Sequence, residues 1–180
     1  DTFFLPFNKS LRNEATISDG YKVDYLWKEI LTPTSILDIL ENFVLFTDVS
    51  DFEWSDEKKK VVEKKKNVLI FPRYHQLDVI RKLKESIIKE GTGNNYLIQH
   101  TTGSGKSYSI GWLSHLLTSL YRSKEDTQRI FDTIIVVTDR KVLDKQLQNT
   151  IKQLEQTVGV VSKVEDGSKQ LKEYLEKGKD

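Results

Sequence analysis

No cysteine and no methionine occur among the 180 residues, and only three prolines and nine glycines interrupt them. Without thiols the chain has neither a disulfide framework nor a thiolate metal site. No apolar run approaches the roughly 20 residues that a membrane-spanning helix needs, and no basic stretch leading into an apolar one opens the chain as a secretory leader would. These absences predict a soluble, cytoplasmic protein without a membrane partner. The chain starts at Asp1 rather than at a methionine, and we read it as a piece of a larger polypeptide. Neither sign of charge dominates: 28 basic residues face 27 acidic ones, for a net charge of +1. Nucleic-acid binding must then rest on a local track of charge rather than on bulk attraction. His75 and His100 are not part of any ligand cluster and are expected to form local hydrogen bonds rather than to hold a metal.

The stretch His100-Thr101-Thr102-Gly103-Ser104-Gly105-Lys106-Ser107 lies between the apolar run Tyr96-Leu97-Ile98 and an amphipathic run carrying Ile110, Leu113, Leu116, Leu117 and Leu120. A strand, a glycine-containing turn and a helix start are the setting a P-loop requires. Gly103 and Gly105 let the backbone curl until successive N–H groups point into one concavity, and the positive end of the following helix adds to them. Lys106 is the catalytic candidate, a point charge for the β- and γ-phosphates of ATP. Ser107 supplies the short hydroxyl that Mg²⁺ accepts as a ligand. Thr102 and Ser104 add hydroxyls at the rim. The first glycine of the general pattern is replaced by His100, which argues against the tightest phosphate loops of small GTPases and kinases.

Around this stretch the chain divides into three expected parts. Residues 1–50 form a helical segment. Tyr25, Leu26, Trp27, Ile30 and Leu31 mark a first helix; Thr32-Pro33 opens a second with Ile36, Leu37, Leu40, Phe43 and Val44 along one stripe. Residues 51–66, rich in lysine and poor in apolar side chains, read as a solvated linker or hairpin. Residues 67–180 carry the apolar run Asn67–Phe71, then a helix from Pro72 with Tyr74, Leu77, Ile80, Leu83 and Ile87, ended by Gly91. Beyond the P-loop, Thr133-Ile134-Ile135-Val136-Val137-Thr138 reads as a strand buried on both faces of a parallel sheet. A helix with Val142, Leu143, Leu147, Ile151 and Leu154 follows, then a third strand at Val158–Val161 and a weak helix from Gly167 to Lys177. The expected fold class is α/β, an incomplete P-loop NTPase lobe of RecA-like type. It has a parallel sheet with helices on both faces and the phosphate loop at the carboxyl end of a strand.

Two further constellations accompany the loop. Gln76 sits thirty residues before Lys106. Its carboxamide offers a donor and an acceptor in one plane, the complement of the N6 and N7 edge of adenine. Tyr74 offers a ring to the base and Arg73 a charge. Asp139, Arg140 and Lys141 open the helix after the second strand, so that helix start projects from the same sheet edge as the loop. Backbone N–H groups there, with the two cations, suit a phosphate of DNA; capping and solvated charge is the plainer alternative.

The three stretches Phe71-Pro72-Arg73-Tyr74-His75-Gln76, Ile98-Gln99-His100-Thr101-Thr102-Gly103-Ser104-Gly105-Lys106-Ser107 and Val136-Val137-Thr138-Asp139-Arg140-Lys141-Val142-Leu143-Asp144-Lys145-Gln146 resemble successive motifs of one family. It is the restriction (motor and endonuclease) subunit of type I restriction-modification enzymes, a group of superfamily 2 helicases. His100 before the two threonines is what this family tends to carry. Phe4-Leu5-Pro6-Phe7-Asn8-Lys9 and Tyr25-Leu26-Trp27-Lys28-Glu29-Ile30-Leu31, with Ser35-Ile36-Leu37-Asp38-Ile39-Leu40, are similar to the segment that joins the family's nuclease domain to its motor. The resemblance implies an ATP- and Mg²⁺-dependent translocase that pulls double-stranded DNA before cutting it, working with modification (methyltransferase) and specificity subunits. Neither the family's nuclease carboxylates nor its Asp-Glu motif occurs in these residues. They are expected before Asp1 and after Asp180, so that this portion alone neither hydrolyses ATP efficiently nor cuts DNA. The competing readings are another P-loop NTPase, a kinase or GTPase, or a docking module with a vestigial loop. No Asn-Lys-x-Asp guanine-reading run supports the former.

Overall fold

The computed structural model describes residues 7–9, 20–55, 58–123, 125–139, 141–154, 161–164 and 167–177. The chain divides into two compact units, Asp1–Arg73 and Tyr74–Asp180. The division thus falls at a helix start rather than in the charged run at 51–66.

The first unit opens with a single π-helical turn, Leu26–Ile30, followed by α1 over Pro33–Asn42. The expected first helix stops early because a residue before proline is pushed out of the helical region, and Thr32 is accordingly extended at φ −67° and ψ 148°. Proline then takes the first helical position, where its missing N–H is no loss. The buried line of α1 is Ile39 and Phe43, one turn apart, while Leu37 and Leu40 face solvent. The apolar stripe is therefore rotated from the expected one. Tyr25 is buried and its hydroxyl donates to the carbonyl of Phe7, 2.5 Å away.

β1 (Leu45–Ser55) and β2 (Lys60–Ile70) form an antiparallel hairpin in register from Leu45 opposite Ile70 to Ser55 opposite Lys60. The lysine run is one arm of this hairpin. Ladder hydrogen bonds are made by the backbone, so a strand tolerates charged side chains where both faces reach water. Lys64 and Lys66 reach across to Glu53 at 3.4 and 3.1 Å, and their hydrogen bonds hold its carboxyl below the usual range. Lys59 turns the chain at φ 47°, a left-handed conformation more usual for glycine or asparagine. The apolar run at 67–71 completes β2 and belongs to this unit.

In the second unit α2 runs from Tyr74 to Glu90 and buries Tyr74, Leu77, Ile80, Leu83 and Ile87 as the periodicity requires. Gly91, at φ 79°, ends it by donating its N–H to the carbonyl of Ile87. α3 covers Lys106–Thr118 and packs against α2 and against α4, Lys141–Gln153. The buried face of α3 is Ser109, Gly111 and Trp112 rather than the leucine line; Ile110 is exposed and Leu113, Leu116 and Leu117 are half-buried. Leu147, Ile151 and Leu154 are buried on the other side of that contact. α5, Ser168–Lys177, is the weak helix expected at the end.

The parallel sheet expected from the sequence is not formed among the described residues. The hairpin is the one sheet they contain, and it is antiparallel. Tyr96–Ile98 and Thr133–Thr138 are not paired in a ladder, and Leu97 and Val137 are 96% and 86% exposed. β-branched runs of this kind are stable as parallel strands only with neighbours on both sides and helices on both faces. The run expected as a third strand at Val158–Val161 lies, except for Val161, outside the described residues, as does Arg140.

Candidate phosphate-binding site

The P-loop stretch does lead into a helix. Gly103 and Gly105 adopt φ 76° and 82°, positions that side chains rarely take, and α3 begins at Lys106 with Gly105 as its left-handed N-cap. Its N-cap, Gly105, has no side chain with which to cap the helix, so among the described residues its first amides are donors for an anion, with the positive end of a 13-residue helix behind them. Thr101, Thr102 and Gly103 are exposed, and nothing lies within 4 Å of the place where a side chain on Gly103 would begin. The crest of the loop is open.

Lys106 is folded back over this loop. Its ammonium donates to the carbonyls of His100 and Thr101 at 3.2 and 2.8 Å. Two neutral carbonyls leave the charge itself unbalanced, so an anion can draw it away without breaking an ion pair. Ser104 is 8% exposed and its hydroxyl has no hydrogen-bond partner among the described residues. A buried polar atom without a partner costs stability unless a ligand satisfies it. Ser107, the second residue of α3, is half-buried. These observations fit a nucleoside triphosphate: open left-handed glycines, a helix start with a glycine cap and, among the described residues, a cation without a counter-charge and a hydroxyl without a partner. No group of three or more histidine, cysteine or carboxylate side chains among the described residues could hold a metal.

The first turn of α2 grips the loop from below. His75 Nε2 lies 3.0 Å from the carbonyl oxygen of Ser104, and Gln76 Nε2 donates to the carbonyl oxygen of Gly105 at 2.8 Å. Because a carbonyl oxygen can only accept, His75 Nε2 must carry the proton in this contact. Consecutive side chains therefore hold consecutive carbonyls. Gln76 is 3% exposed, and a side chain at Gly105 would begin 2.6 Å from its amide nitrogen and push it off the carbonyl, while the φ of 82° itself favours glycine. The ring of His75 meets that of His100 at a centroid distance of 4.9 Å, with the planes perpendicular. Burial, with the nearby His75 and Lys106, lowers the pKa of His100 below the ordinary histidine value and keeps the ring neutral at pH 7.

The structure thus brings together Gln76 and the loop residues from Thr102 to Ser107. Tyr74 is buried on the core side of α2. Arg73 belongs to the first unit and Asp139 is exposed at the approach to α4. Lys141 is the first residue of α4, whereas Arg140 lies outside the described residues. The reading of the residues assigned His75 and His100 only local hydrogen bonds. Nothing in the sequence signals the pairing of 75 with 104 and of 76 with 105, which only the packing of α2 against the loop creates.

Comparison with known proteins adds an independent view. The model of the SWI2/SNF2 ATPase family matches residues 75–180. The chain is 26% identical over 146 residues to a protein of Methanocaldococcus jannaschii named as a type I restriction enzyme MjaVIIIP endonuclease subunit. That match covers 74% of this chain and 12% of the relative, so the chain spans about an eighth of its length. No solved structure matches the chain. Both similarities agree with the resemblance carried by the three motifs.

Proposed function

Because the chain belongs to the SWI2/SNF2 ATPase family, whose P-loop NTPase fold and helicase-like motor it shares, we propose that it forms the nucleotide-binding part of an ATP-dependent DNA translocase. In this reading the motor belongs to a type I restriction endonuclease subunit. It completes a parallel, RecA-like sheet with further strands of the polypeptide, pulls double-stranded DNA and assembles with modification and specificity subunits. The observation that carries the proposal is the loop from His100 to Ser107, open at its crest, with Lys106 poised on its carbonyls and α3 uncapped behind it.

Each residue has a definite task. Gly103 and Gly105 hold the backbone in the curl that gathers amide donors. Lys106 leaves the His100 and Thr101 carbonyls and neutralises the outer phosphates. Ser104 gains the partner that its hydroxyl lacks, and Ser107 offers an oxygen to Mg²⁺. Gln76 presents its carboxamide to adenine after releasing the carbonyl of Gly105. ATP with Mg²⁺ supplies the anhydride bond whose hydrolysis drives movement. Asp139, Arg140 and Lys141 are the proposed DNA contacts. No helix among the described residues is long and apolar enough to cross a membrane.

Lys106→Ala in the full-length polypeptide tests the proposal. It should abolish ATP-dependent translocation, and cleavage with it, while assembly with partner subunits persists. Undiminished cleavage by that variant would refute the role.

A further inference from the structure

A P-loop works only if its amides, and not its carbonyls, face the phosphate. In a trans peptide the C=O and the N–H of one linkage point in opposite directions, and no cis linkage occurs among the described residues. Fixing the carbonyl of Ser104 therefore fixes the direction of the Gly105 N–H. The glycines on either side of Ser104 make this peptide plane easy to turn, since each has access to both halves of conformational space. The tether that stops it turning is the Nε2–H of His75, 3.0 Å from the Ser104 oxygen. The ring of His75 is itself backed by the perpendicular ring of His100, the residue that replaces the loop's first glycine.

We propose that His75 is a positioning residue for nucleotide binding: by holding the Ser104 carbonyl against α2 it turns the Gly105 amide away from α2, toward the incoming phosphate. His100 serves the same end by walling the imidazole on one side. This inference rests on the ATP-binding reading of the loop and adds to it a residue that the phosphate never touches. Gln76 holds the next carbonyl, but Gly105 O also accepts the amides of Tyr108 and Ser109 as the helix starts. The Gly105–Lys106 linkage thus has three restraints. Ser104 O has His75.

The experiment compares His75→Phe, which keeps a ring against His100 but removes the donor, with His75→Gln, whose amide nitrogen sits where Nε2 was. Binding of ATP, ADP and adenosine to the full-length polypeptide is measured by calorimetry, alongside Lys106→Ala. Loss of one hydrogen-bonded restraint should weaken ATP and ADP binding by roughly three- to tenfold in His75→Phe. His75→Gln should restore most of it, and adenosine, which has no phosphate, should bind all three proteins alike. Equal losses for adenosine and ATP would make His75 a general structural residue and overturn the inference. So would wild-type ATP binding by His75→Phe while Lys106→Ala loses it, an outcome that leaves the loop's function standing. If Lys106→Ala also binds ATP normally, the underlying reading fails and this inference with it. Should His75→Phe unfold, His75→Asn, whose amide falls about one bond short, carries the same comparison and must bind ATP more weakly than His75→Gln.

Discussion

At the scale of single residues, Gln76 has two possible employments, and substitution separates them. In the structure its amide is spent on the carbonyl of Gly105 inside a nearly closed environment. Reading adenine requires the amide to turn from that carbonyl, which still keeps the amides of Tyr108 and Ser109 as donors. Gln76→Ala should therefore raise the requirement for ATP about tenfold, with a much smaller effect on GTP, since a well-placed pair of hydrogen bonds to the right base contributes about 1–3 kcal/mol of discrimination. Steady-state ATPase and GTPase titrations decide it; equal effects on both would leave Gln76 as a brace for the loop. The left-handed turn at Gly103 and Gly105 and the helix start at Lys106 were legible from spacing alone because they are set by local backbone conformation. The grip of His75 was not, because a hydrogen bond between residues 29 apart depends on how two helices pack.

Among the elements, α2 was the most legible. Its five apolar positions and its closing glycine match the structure because a helix that buries one face writes its period directly into the sequence. α3 was misread. Its leucines suggested the inner face, yet Gly111 is buried against the end of α4: a side chain there would begin 2.5 Å from Leu154 Cδ1 and 3.8 Å from Ile151 Cα. Contact between helix axes is governed by the smallest residues, a property of the partner as much as of the helix itself. His115, in the last turn of α3, adds a donor at 2.9 Å to the carbonyl of Ile151, which also accepts the amide of Leu154 where α4 ends. Gly111→Ala should change stability by less than about 1 kcal/mol, because the gain in helix propensity offsets the displacement of a flexible leucine methyl. Gly111→Leu should cost at least about 2 kcal/mol by overpacking. Urea midpoints of the full-length polypeptide check both, and a neutral Gly111→Leu would show that α3 and α4 are not closely packed there.

For the whole molecule, the two apolar runs that lie outside any ladder among the described residues and the charged helix start after the second of them are the features that matter most. If Tyr96–Ile98 and Thr133–Thr138 join one sheet with other strands, Asp139, Arg140 and Lys141 come to its carboxyl edge, where the phosphate loop also lies. Removing two phosphate contacts should then lower DNA affinity and flatten its salt dependence. The double variant Arg140→Ala with Lys141→Ala is expected to reduce the slope of log affinity against log salt by about 1.8 for duplex DNA. DNA-stimulated ATPase measured across salt concentrations gives the answer, and an unchanged slope would return both side chains to solvated surface. The division into units makes the same point on a larger scale. The lysine run reads as a break because its side chains seek water, yet the backbone carries a ladder straight through it, and the two compact units change over in sequence at Arg73 and Tyr74. By itself the sequence determined the left-handed glycine turn into α3 and the face of α2, which follow from local conformation and helical period, and it carried the motifs of the family. Only the tertiary structure decided which side chains hold that turn from behind, where α3 meets α4 and which strands find partners. Those outcomes depend on distances between segments far apart along the chain, and periodicity carries no record of them.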